Sequence, residues 1–210
     1  MILTPLPLAD VPRAMADFIS AVEGDSLLHR IARRISASLA AVNGADISLS
    51  QDPDHHAQAV ALLARFGMGT VEMPPSQGLT WDSKAVAVGM EPSVIIHEVA
   101  HFQLASPERR GLADFGLGAG PESGDKARGE ADRRLHGLDC EIEEARASLL
   151  GVLWEAELGQ PAVLAFLEQN WLEGGVSPRN LAHFAKVAGY LHAEGFIDDG
   201  ARPQVRLRTV

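Results

Sequence analysis

Apolar residues recur every three or four positions in two early stretches: Phe18, Ile19 and Val22 within 11–22, then Leu27, Leu28, Ile31, Ile35, Leu39 and Val42 within 25–42. That spacing puts them on one helical face, so two helices are predicted, with Gly24 and Gly44 as stops. A third helix is expected to start at a capping Asp54 and to run through Ala61, Leu62, Leu63 and Phe66 to Gly67. Elsewhere the period shortens. Ile47 to Leu49, Thr70 to Met73 and Ala85 to Val88 alternate or are β-branched, which predicts a small sheet.

Pro92 suits the first turn of a helix, where a missing N–H costs little, so Glu91-Pro92-Ser93 is read as the start of a helix through residues 97–101. Ser106 to Leu138 is rich in glycine and charge without a sustained period and is expected to be a long irregular loop. Helical spacing returns from Asp139 to Leu158, with Ile142, Ala145, Leu149, Val152, Leu153 and Ala156 on one side and Gly159 and Pro161 ending it. Two further helices are expected near 161–172 and 178–195. The alternating tail Pro203 to Arg208 reads as an edge strand or a frayed end.

Length and composition narrow this picture. At 210 residues and 46% hydrophobic side chains the chain supports one substantial core, and neither an internal repeat nor a linker divides it. The 18 Lys plus Arg against 28 Asp plus Glu give a net charge of -10, whose field repels nucleic acid and anionic membranes. Cys140 is the only cysteine, which excludes an internal disulfide and a Cys-rich zinc site. Pro5, Pro7, Asp10 and Pro12 interrupt the apolar N-terminal residues, so no export signal is read there, and no run is long enough to cross a bilayer. A cytoplasmic location is expected.

The chemistry concentrates in His97-Glu98-Val99-Ala100-His101. Residues four apart share a helix face, so both imidazoles can reach one cation, with Glu98 beside the first ligand. In zinc hydrolases of this pattern the glutamate takes a proton from a water that the metal has acidified. A chance pair of histidines on a helix would make the same string. Here the pair follows a predicted strand and is flanked by Ile95, Ile96, Val99 and Phe102, which favours one divalent metal ion.

Two histidines leave a site incomplete. The glycine and third histidine of the metzincin pattern are replaced by Leu104 and Pro107, so that family is excluded. A carboxylate from Cys140-Glu141-Ile142-Glu143-Glu144 is the natural third ligand: Glu141 and Glu144 share a face and Glu143 points away. Acidic residues also favour a first helical turn for dipole reasons alone. His136, just before that helix, could reach metal or substrate. His55 and His56 read as a solvated pair, and His29, His183 and His192 as structural. Arg109, Arg110 and Asp114 read as a salt-bridged corner beside the site with Phe115 as a wall; alternatively an arginine holds a substrate carboxylate.

Residues 97 to 161 resemble the elongation factor P hydroxylases, which modify a lysine side chain on that translation factor. The resemblance is carried by His97-Glu98-Val99-Ala100-His101-Phe102, by Glu108-Arg109-Arg110-Gly111-Leu112-Ala113-Asp114-Phe115-Gly116, by Glu141-Ile142-Glu143-Glu144, and by Leu158-Gly159-Gln160-Pro161. It covers about a third of the chain. The chain departs from that family at Leu117 and Gly118, where aromatic residues are expected, and at Pro121-Glu122-Ser123-Gly124, which stands for a Pro-Asp-Gly-Arg turn. The resemblance implies His97, His101 and a glutamate, with Glu144 at the matching place, as ligands of a two-histidine, one-carboxylate centre, whose open positions suit iron as well as zinc as the one divalent ion.

The expected fold is therefore α+β and zincin-like, mostly helical with a small central sheet packed on the HExxH helix. One metal-binding domain over 1–210 is expected, with a helical N-terminal extension over 1–45, a metal-site core over 84–161, and C-terminal helices and tail over 162–210. Its expected function is that of a metal-dependent hydroxylase, or alternatively a zinc metallohydrolase with Glu98 as general base. Arg110, Asp114 and His136 are the candidate substrate contacts. The expected partner is a protein substrate such as a translation factor, without direct nucleic acid or membrane contact.

Overall fold

The computed structural model describes residues 6–44 and 47–210. It is an α+β structure, mostly helical, with one two-stranded parallel sheet among the described residues. The helices are α1 (Val11–Ala21), α2 (Ser26–Ala37), α3 (Pro53–Arg65), α4 (Pro92–Leu104), α5 (Pro107–Arg110), α6 (Lys126–Ala131), α7 (Gly137–Glu157), α8 (Ala162–Glu168) and α9 (Pro178–Ala193). Strands β1 (Gly69–Val71) and β2 (Ala85–Ala87) pair with Gly69 opposite Ala85 and Val71 opposite Ala87. None of the described helices is long and apolar enough to cross a membrane.

The chain forms two compact units, residues 1–50 with 148–204 and residues 51–147 with 205–210. The first contains α1, α2, the second half of α7, α8 and α9. Asp25 starts α2 by accepting hydrogen bonds from the Leu27 and Leu28 amides, and its buried face is Leu28, Ile31, Ala32 and Ile35. Phe18, Phe166, Trp171 and Phe184 interlock at its centre, with ring centroids 5.0 to 6.2 Å apart. Those are ordinary edge and offset contacts of a dry core.

The second unit carries the HExxH helix. Ten of the 13 residues of α4 are buried, which is the signature of a helix enclosed on nearly all sides. Pro92 opens it directly after β2, as the sequence predicts, and α3 is its principal helical neighbour. The cap of α3 is Asp52, not Asp54: Asp52 accepts from the Asp54 amide at 2.8 Å, and Pro53 takes the first helical position where it needs no donor.

Three other expectations change. Ile47 to Leu49 forms no strand, because no neighbouring segment pairs with it. The stretch from Ser106 to Leu138 is not an irregular loop; it holds α5, a 3-10 turn over Ala113–Gly116 and α6. Its order comes from specific hydrogen bonds, which leave no periodic trace: the Gly124 and Asp125 amides donate to the carbonyls of Pro75 and Gly78 at 3.0 and 2.7 Å. Gly124 is required there, since a Cβ would stand 2.0 Å from the Ser76 carbonyl oxygen. The tail is neither strand nor frayed end. The Arg208 amide donates to the Gln103 carbonyl and Gln103 Nε2 to the Arg206 carbonyl, both at 2.9 Å, tying the last residues to the end of α4.

Candidate metal centre

The one-turn spacing on α4 brings His97 and His101 together with their rings 4.5 Å apart and nearly perpendicular. Their Nε2 atoms are 2.9 Å apart. Helix α7 adds Glu144, whose Oε2 lies 3.5 Å from His97 Nε2 and 3.3 Å from His101 Nε2. All the potential ligand atoms of this group lie within 4.8 Å of one another. Ligands at about 2.0–2.2 Å from a divalent ion are about 2.9 Å apart at right angles and about 3.4 Å apart at tetrahedral angles. The three observed edges match that range, so one ion fits among these atoms.

The arrangement is asymmetric. The His101 side chain is only 5% exposed, against 21% for His97 and 48% for Glu144, so the centre is closed behind His101 and open beside Glu144. Both Nδ1 atoms are buried without a hydrogen-bond partner, so packing rather than a second hydrogen bond orients the rings. Phe115 supplies much of that packing: it stacks on His101 at 5.8 Å and on Trp81 at 5.3 Å.

The electrostatics follow from burial and from crowding of like and unlike groups. Burial works against a His101 cation, but Glu144, Glu98 and Glu143 outweigh it and raise its pKa to about 9. Burial and then the charge of His101 hold His97 below its ordinary value. For Glu144 burial is overcome by the two histidines, which hold its carboxyl well below the usual range. Glu98 is buried on α4; that burial, opposed by His101 and reinforced by Asp114, Glu144 and Glu122, pushes it up to about 8. A buried carboxyl poised near neutral pH beside three converging ligand atoms can hold or release a proton there.

The structure separates the three acidic residues of α7. Glu144 joins the histidines, Glu141 is exposed, and Glu143 is buried in a two-pronged ion pair with Arg109. The corner beside the site exists, but its ion pair differs from the expected one. Asp114 accepts from the Trp81 amide at 3.1 Å, the Gly120 amide at 3.2 Å and Ser123 Oγ at 2.8 Å. Arg110 donates to the carbonyls of Ala105 at 2.9 Å and Arg208 at 3.1 Å, with its guanidinium over Phe102. Both side chains thus serve the scaffold of the centre. His136 is exposed.

His56 is not part of a solvated pair: it is half-buried, with Nε2 2.7 Å from the Val88 carbonyl oxygen, because α3 lies against the end of β2. With Pro74, Met90, Glu91 and Glu122 it lines an open groove of about 530 Å³. Glu122 was not singled out by sequence reasoning, and its charge acts on both His97 and Glu98. Nothing in the local pattern marks it, because a loop glutamate has no period and only the folded turn brings it near α4. Comparison with protein-family models, with curated proteins and with solved structures yields no match to this chain.

Proposed function

We propose that this chain is a metal-dependent enzyme of zincin-like architecture in which His97, His101 and Glu144 hold one divalent ion and Glu98 handles the proton. The observation that carries this reading is the convergence of two Nε2 atoms and one carboxylate oxygen, with separations of 2.9, 3.3 and 3.5 Å, on a centre open beside Glu144. Three N and O ligands with open positions suit non-haem iron, and the resemblance to the elongation factor P hydroxylases favours hydroxylation of a protein side chain, such as a lysine of a translation factor. The ion would supply Lewis acidity or, as iron, the site of dioxygen activation. The chain's own residues do the rest: Phe115 keeps water from behind His101, Glu98 accepts or donates a proton, and the open side admits substrate.

A second reading, a zinc hydrolase, is favoured by Glu98 itself, a buried carboxyl next to the first histidine as a general base requires. Elemental analysis separates the two. Protein purified without added metal or chelator is measured beside His97→Ala and Glu144→Ala. One equivalent of iron, lost in both variants, together with activity that ceases under strict anaerobiosis, supports the hydroxylase; one tightly held zinc and oxygen-independent turnover supports the hydrolase. Metal-free protein that takes up neither ion on titration refutes both.

A further inference from the structure

Arg109 bonds to a neighbour of each half of the candidate metal centre, Glu143 and Phe115. Its two terminal nitrogens grip both oxygens of Glu143, one of them at 2.7 Å, and its Nε donates to the Phe115 carbonyl at 2.9 Å. Glu143 is the immediate neighbour of Glu144 on α7, and Phe115 is the ring stacked on His101. One guanidinium therefore joins the segment that carries the carboxylate ligand to the aromatic wall behind a histidine ligand. Its side chain is only 11% exposed and that of Glu143 only 8%, so water does not loosen the pair.

The backbone at Phe115 shows why such a clamp is needed. Asp114 and Phe115 have φ of 41° and 53°, consecutive left-handed residues that are not glycine, followed by Gly116 at 70°. That conformation turns the Phe115 ring towards His101 and its carbonyl towards Arg109. The hydrogen bonds to Asp114 and the Arg109 Nε bond hold it there. Glu144, by contrast, is half exposed, and the bonds that its carboxylate makes among the described residues are those to the two histidines. Its place depends on where α7 is set, and the Arg109–Glu143 pair is anchored on the turn that bears it.

We infer that Arg109 is a positioning residue of the metal centre, which fixes Glu144 in ligating range through Glu143 and holds the wall of His101 through the Phe115 carbonyl. This rests on the metal-centre reading above. Lysine keeps the charge but cannot make the two-pronged pair and the Nε bond together, so Arg109→Lys is the informative variant. Outer partners of metal ligands typically matter 10–100-fold in affinity.

The test is a cobalt(II) titration of the purified full chain, reading both affinity and the visible d–d spectrum, which reports the number and geometry of ligands. The expected result is about 10–100-fold weaker binding in Arg109→Lys with an altered spectrum that resembles Glu144→Ala, while Lys84→Arg stays as wild type. Wild-type affinity and spectrum in Arg109→Lys overturn the inference while leaving the centre standing. A wild-type chain that binds no cobalt, zinc or iron overturns the metal-centre reading, and the inference with it. If Arg109→Lys does not fold, the double variant Arg109→Met with Glu143→Leu replaces the pair by apolar volume. Weakened binding with a changed spectrum in that folded double variant supports the positioning role, and unchanged binding overturns it.

Discussion

The two aromatic clusters of this protein are built from similar residues to opposite ends. In the unit containing α8 and α9, Phe18, Phe166, Phe184 and Trp171 pack against one another, and Trp171 Nε1 is satisfied by Ser148 Oγ at 2.6 Å. In the unit containing α4, Trp81, Phe102 and Phe115 pack against one another, Phe115 stacks on His101, and the backbone under Phe115 lies in a strained left-handed run. The first cluster removes apolar surface from water with no unusual geometry. The second is held by directional bonds: Trp81 exchanges backbone and side-chain hydrogen bonds with Asp114, and its indole donates to the Arg110 carbonyl at 2.9 Å. Strain that is maintained by so many bonds marks the place where an atom's position, and not only its burial, matters.

The comparison is broken most directly by removing a ligand. His101→Ala is expected to lose one bound equivalent of metal, an effect of at least about 100-fold in affinity, while the apoprotein retains its helical circular dichroism. Metal content measured on gel-filtered protein checks this, and full retention would place the ion elsewhere. Glu98→Gln should keep the metal and lose turnover by about 10²–10⁴-fold, as removal of a proton-transfer group does. Kinetics on the metal-loaded variant decide it; unchanged turnover removes Glu98 from the reaction.

The dry cluster should respond in the other currency. Phe166→Ala leaves a cavity among Phe18, Trp171 and Phe184 and is expected to cost about 3–5 kcal/mol in urea unfolding. Metal affinity per folded molecule should stay within about twofold, because the rings that Phe166 touches, Phe18, Trp171 and Phe184, include no residue of the candidate centre, and energies of residues with no shared partner are nearly additive. A large loss of affinity in that variant would mean the two clusters are coupled.

The smallest effect concerns Glu155, which burial and the neighbouring charge of Glu168 push up to about 8. A carboxyl whose pKa is raised on folding holds a proton in the native state that the unfolded chain releases. Its contribution to stability is therefore complete below the ordinary value of 4.5 and is lost as pH rises through about 8. Glu155→Gln cannot ionise, so it should be more stable than wild type at pH 8.5 by about 1–3 kcal/mol, with the difference shrinking towards pH 5. Urea midpoints at the two pH values test this, and parallel pH profiles would show that Glu155 is not buried as a neutral acid.

Much of this architecture is legible in the sequence because it is local. The helices α1, α4, α7 and α9 lie close to their expected bounds, since each is announced by its own apolar spacing or by a proline at its first turn, whereas α2 ends at Ala37 and passes into a 3-10 turn over Ser38–Ala41. The strands at Thr70 and Ala85 are found too, but Ile47 to Leu49 is not a strand, because a strand exists only by virtue of a partner and the pattern cannot supply one. The segment after α4 looked featureless for the same kind of reason. Its order is held by Asp114 and Ser123 accepting from the distant Trp81 and Thr80 amides and by Arg109 donating to the Phe115 carbonyl, and glycine-rich turns carry no period.

Sequence alone determined that two imidazoles and one carboxylate would share a helix at His97, His101 and Glu98, because the rotation per residue of an α-helix settles which neighbours face together. Spacing also narrowed the candidate third ligand to the acidic turn of residues 141–144. Only the tertiary structure decided among those acids, placing Glu144 with the histidines and Glu143 with Arg109, and only it brought Phe115 behind His101 and the charge of Glu122 to α4. The physical reason is range: helical geometry acts over a few residues and is written in spacing, whereas contacts between segments far apart in the chain depend on how the whole unit packs.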